Sequence, residues 1–156
     1  MKLILEINNT SKSPVKKTFI KKVVILTLEK SGYLELLKKN LSLSFAWVSE
    51  SEILRINKQY RNKNKATDVL SFCEYENSEQ LKVDKNPELF LGELILCYDY
   101  IKESLDEFNS EKELQEELAR IVAHGVLHLL GFAHGKKMFV IQDAVAKESL
   151  KNKIIK

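Results

Sequence analysis

Three histidines are all this chain has, and they fall within eleven residues: His124-Gly125-Val126-Leu127-His128-Leu129-Leu130-Gly131-Phe132-Ala133-His134. On a helix, residues four apart share a face. His124 and His128 can therefore turn imidazole nitrogens to one point, and Gly131 can end the helix and fold His134 back. For any single histidine the ordinary explanation is a ring satisfied by backbone hydrogen bonds. Two on an otherwise apolar helix strain that explanation, since each unpaired buried nitrogen costs on the order of 1–3 kcal/mol. One zinc ion satisfies a nitrogen on each ring. On the metal reading, a helix, a tight turn and the residues after it come around one point.

A structural zinc would want a fourth protein ligand such as cysteine. Cys73 and Cys97 lie in separate apolar segments that read as strands, without a C-x-x-C pair, and both are expected to be free, buried thiols. An open coordination position follows. Zinc on three neutral imidazoles keeps its double charge; it can lower the pKa of a bound water to about 7 or polarise a phosphoryl or carbonyl oxygen. The histidine spacing equals that of the long metzincin motif, H-E-x-x-H-x-x-G-x-x-H, but Gly125 stands where those proteases carry their glutamate. Without that general base, peptide hydrolysis is the weaker expectation.

The remaining composition constrains less. With 156 residues, 44% hydrophobic and 30% charged, the chain suits one globular domain over 1–156. Only 5 glycines and 2 prolines argue against low-complexity classes. A net charge of +3 permits nucleic-acid binding without pointing to it. No apolar run approaches the roughly 20 residues of a membrane span, and the start turns polar too soon for a signal peptide, so a cytoplasmic location is expected.

Alternation at Leu3, Leu5 and Ile7 predicts a strand. After Pro14, the apolar face from Phe19 to Leu28 predicts a helix ended by Ser31-Gly32. A strand is expected over 41–48, and a helix over 51–60 behind a capping box of Ser49 and Glu52. Further strands are expected over 69–73 and 89–97, with 77–87 between them as an exposed polar loop. Helices are expected over 98–108, from just after Asn109 or Ser110 to about 130, and over 137–152; the second half of the middle one is apolar nearly all round, as for a helix buried on most sides. Strands interleaved with helices point to an α+β or mixed α/β sandwich.

Two further clusters stand out. Lys58, Arg61, Lys63 and Lys65 lie within eight residues, interleaved with Asn57, Tyr60, Asn62 and Asn64. Such a loop suits phosphate, and the guanidinium fork of Arg61 more than an ammonium, although a solvated turn is an equal reading on composition. Asp68 and Glu93 each adjoin a predicted strand. Either can bond a ligand histidine's second nitrogen, orient a metal-bound water, or pair with Arg61 or a lysine, and the residues leave this open.

The histidine stretch, the run Asn57-Lys58-Gln59-Tyr60-Arg61 leading to Thr67-Asp68-Val69-Leu70-Ser71-Phe72, and Leu91-Gly92-Glu93-Leu94-Ile95 together resemble the bacterial endoribonuclease YbeY family, in order and separation as well as content. The resemblance covers essentially the whole chain. It implies a zincin-like α+β fold with a mixed four-stranded sheet, one Zn2+ held by His124, His128 and His134, and Arg61 in the active-site groove. It also implies single-stranded RNA as substrate, in small-subunit ribosomal RNA maturation and ribosome quality control, with ribosomal proteins and an assembly GTPase as partners. Three departures accompany it. Ala133 replaces the usual Asp before the third histidine, Glu93 replaces the usual Asp after Gly92, and the acidic segment after the histidines is shortened to Gly135-Lys136-Lys137.

The chemistry expected is phosphodiester cleavage, with Arg61 neutralising charge on phosphorus and Glu93 or Asp68 orienting the nucleophile. That nucleophile is either water activated at the metal or the RNA's own 2′-hydroxyl. The rival readings are a non-catalytic ribosome-assembly factor stabilised by its metal, and a metalloprotease.

Overall fold

The computed structural model describes residues 2–105 and 110–151. Four strands, β1 (Lys2–Asn9), β2 (Asn40–Trp47), β3 (Val69–Cys73) and β4 (Glu88–Leu96), form one sheet in the order β1-β2-β4-β3. The β1/β2 and β2/β4 pairs are parallel and β3/β4 is antiparallel, giving the mixed four-stranded sheet of an α+β fold. Parallel neighbours need a crossover, and α1 (Lys17–Lys30) supplies the one from β1 to β2. The other helices are α2 (Glu50–Arg61), α3 (Ser78–Val83), α4 (Tyr98–Glu103), α5 (Glu111–Leu129) and α6 (Lys136–Ser149).

Strand alternation sorts the sheet into two faces. One carries Leu3, Leu5, Leu41, Leu43, Phe45 and Leu94, buried against Val23, Val24 and Leu28 of α1 and Leu118, Val122 and Val126 of α5. The other is covered only in part, by α2, over a smaller cluster of Ile53, Ile56, Leu70 and Ile95. Helix α2 begins as expected, the Ser49 hydroxyl accepting from Glu52 N at 3.2 Å. Ser110 caps α5 in the same way, with Glu111 and Glu113 in its first turn. The second half of α5 is buried nearly all round.

Three expectations need correction or trimming. The segment 77–87 is not all loop, because Asn77 caps α3 through Gln80 N and Leu81 is buried under it. Cys73 is exposed, as the last residue of an edge strand, whereas Cys97 is buried. Helix α4 ends at Glu103, while 106–108 and 152, expected in helices, lie outside the described residues.

Candidate metal centre

The end of α5 builds the site. Gly131 takes φ +90°, its N–H donates to His128 O at 2.9 Å, and Phe132 N donates to Leu127 O at 3.0 Å. This is a Schellman closure, and it reverses the chain so that His134 returns to the face holding His124 and His128. The three Nε2 atoms converge: 3.1 Å from His124 to His128, 2.8 Å from His128 to His134 and 3.2 Å from His134 to His124. Ligands roughly 2.0–2.1 Å from one tetrahedral centre stand about 3.3 Å apart, close to these separations. The donor set therefore fits a divalent ion.

The outer nitrogens are also placed. His128 Nδ1 meets Phe132 O at 3.2 Å, and because a carbonyl only accepts, Nδ1 carries the proton and Nε2 offers its lone pair. His124 Nδ1 lies 2.8 Å from Gln142 Oε1 of α6. His134 is exposed and stacks on Phe139, ring centroids 6.4 Å apart. Burial, then the charge that His124 and His134 would carry, pushes the His128 pKa down to about 4, so the ring is neutral at physiological pH, as a metal ligand must be.

These rings open into a cavity of about 450 Å³ whose other wall is Arg61 at the end of α2, the basic loop with Lys63, Lys65, Thr67 and Asp68, and Ser71 and Cys73 of β3. Buried Asn57 pins that loop, its side chain donating to Lys65 O at 3.0 Å and its carbonyl accepting from Lys63 N. Arg61 Nη2 donates to Ser71 O at 2.5 Å, and the guanidinium lies 5.7 Å from the Phe72 ring centre. Asp68 Oδ1 accepts from Val69 N at 2.7 Å. Cys73 Sγ donates to His128 O at 3.3 Å, and partial burial pushes its thiol pKa up.

The structure thus gathers the histidines, Arg61 and Asp68, but it sets Glu93 apart. A one-residue bulge in β4, opposite Ser42 to Ser44, shifts the alternation so that Glu93 turns to the half-covered face. There it lines a second groove with Arg55, Tyr60 and Phe72. Sequence reasoning missed Gln142, eighteen residues from its partner on another helix, where no local spacing marks it. Gly125 has a packing reason as well: a Cβ there would lie 2.9 Å from two Leu94 side-chain carbons.

The sequence profile described as Endoribonuclease YbeY matches residues 6–151. Among curated proteins, the Endoribonuclease YbeY of Staphylococcus saprophyticus is 37% identical over 116 residues, covering 71% of this chain and 74% of that one. The Endoribonuclease YbeY of Staphylococcus epidermidis is 38% identical, with 73% and 76% covered, and that of Borreliella burgdorferi 36%, with 70% and 75%. A solution structure from Thermotoga maritima superposes with a TM-score of 0.59 at 25% identity, covering 94% of this chain and 88% of that one.

Proposed function

Because the chain belongs to the endoribonuclease YbeY family, we propose that it is a metal-dependent hydrolase, a single catalytic domain over 1–156 that cuts single-stranded RNA. The observation that carries this reading is the convergence of three imidazole Nε2 atoms beside Arg61 in one cavity. His124, His128 and His134 would hold the ion, which we take to be zinc. Bound by neutral ligands, it supplies Lewis-acid polarisation of a phosphate.

Arg61 is tethered to Ser71 O and presents its remaining N–H groups to the phosphate, offsetting charge that develops on the phosphate oxygens. Lys63 and Lys65 attract the flanking phosphates. Asp68 has one oxygen committed to Val69 N and its second oxygen would orient the nucleophile, either water or the RNA 2′-hydroxyl. The reading gives Glu93 no part in the reaction, since it lies across the sheet. Gly125 leaves no general base at the protease position, which favours phosphodiester over peptide cleavage. In the cell the substrate is small-subunit ribosomal RNA, during maturation and quality control in the cytoplasm, with ribosomal proteins and an assembly GTPase as partners.

Zinc-loaded protein is expected to cut single-stranded RNA, to leave duplex RNA and unfolded polypeptide intact, and to lose cleavage in His128→Ala. Peptide cleavage, or RNA cleavage that survives His128→Ala, overturns the reading.

A further inference from the structure

We infer that Gln142 is a positioning residue of the metal centre, its side-chain oxygen holding His124 in the tautomer that turns the Nε2 lone pair toward the ion. The inference rests on the reading that the histidine trio binds a metal. A neutral imidazole carries one proton, and it can bind an ion through Nε2 only when that proton is on Nδ1. For His128 the backbone enforces this, because Phe132 O can only accept. His124 Nδ1 instead faces a side-chain amide, Gln142 Oε1 at 2.8 Å. The partner is delivered by α6, which packs on the core through Met138, Ile141 and Val145 and so fixes where Gln142 stands against α5.

An amide can present either its oxygen or its NH2 group, and the two ends would favour opposite tautomers. The oxygen is the end that agrees with Nε2 atoms 3.1 and 3.2 Å from those of His128 and His134. Outer partners of metal-bound histidines typically contribute 10–100-fold in metal affinity. A carboxylate at the same place can only accept, so Gln142→Glu separates the two cases: it keeps the bond if Gln142 accepts and breaks it if Gln142 donates.

The test is the zinc dissociation constant at neutral pH, by competition with a chromophoric chelator, together with melting of each metal-free protein. Gln142→Leu is expected to bind zinc about 10–100-fold more weakly with its metal-free melting little changed. Gln142→Glu is expected to bind as tightly as the wild type or more tightly. Wild-type affinity in Gln142→Leu, or a Gln142→Glu affinity at least about tenfold below wild type, overturns the inference; the second result decides it even if the leucine variant fails to fold. Zinc binding unaffected by His124→Ala would instead overturn the reading of the trio itself, and this inference with it.

Discussion

At the residue scale, burial and hydrogen bonding together set charge. The Tyr75 hydroxyl donates to Asp84 Oδ2 at 2.7 Å. Burial first, then this bond and the nearby charges of Asp84 and Glu74, push the Tyr75 pKa from its ordinary value near 10 up to about 12. Asp84 moves the other way, held below the usual carboxylate range by the Asn86 N–H and then by the Tyr75 hydroxyl. The folded state thus keeps the phenol proton longer than the unfolded state does. The stability this contributes is fully present below about pH 10 and is lost as pH rises through about 12. Phe at 75 should remove that dependence: the stability gap between wild type and Tyr75→Phe, followed by urea unfolding, is expected to narrow from pH 10 to pH 12. A constant gap would mean the phenol is not held this way. The sequence could not show the pair, because nothing in the spacing of Tyr75 and Asp84 requires contact. The histidines were legible because a helix fixes the relation of positions four apart. Glu93 was not, since its face depends on a bulge that one extra residue creates across two strands.

At the element scale, α5 and its closing turn make the site. Gly131 is confined twice: its φ of +90° lies where L side chains carry a penalty, and a Cβ would stand 2.7 Å from the backbone nitrogen of Ser78, at the start of α3. Neither backbone can yield cheaply. The handedness penalty is about 1–2 kcal/mol and overpacking adds about 1–3 kcal/mol. Gly131→Ala should therefore lower stability by at least about 2 kcal/mol in denaturant unfolding, and weaken zinc binding because His134 is displaced. Unchanged stability together with unchanged affinity would show that the turn does not position His134. The cap of α2, the burial of α5 and the Gly131 turn were readable from local chemistry. Helix α3 was not: its six residues offer one buried side chain, Leu81, too short a pattern to outweigh the polar residues around it.

At the scale of the whole molecule, the core and the site are separable. The main apolar cluster runs from β1 through α1, the sheet and α5 to α6, whereas the three histidines are half-buried or exposed. An ion held there would be linked to stability by mass action, and the apolar cluster would not need it as a staple. At zinc near 100 times its dissociation constant the gain is about 2.7 kcal/mol, which for a chain of this size corresponds to roughly 5–11 °C in melting temperature. Chelator-treated protein should therefore remain folded, with a cooperative melt lower by about that interval. His124→Ala should melt near the same temperature with or without zinc. If chelation instead abolished the cooperative transition, the ion would be holding the helices together, and the non-catalytic assembly factor would account for the histidines better than a hydrolase does. The separation would also suit chemistry: if the core folds without the ion, the cavity wall formed by Arg61, Lys63 and Asp68 stands before the ion arrives, and binding it would complete the site without rebuilding it.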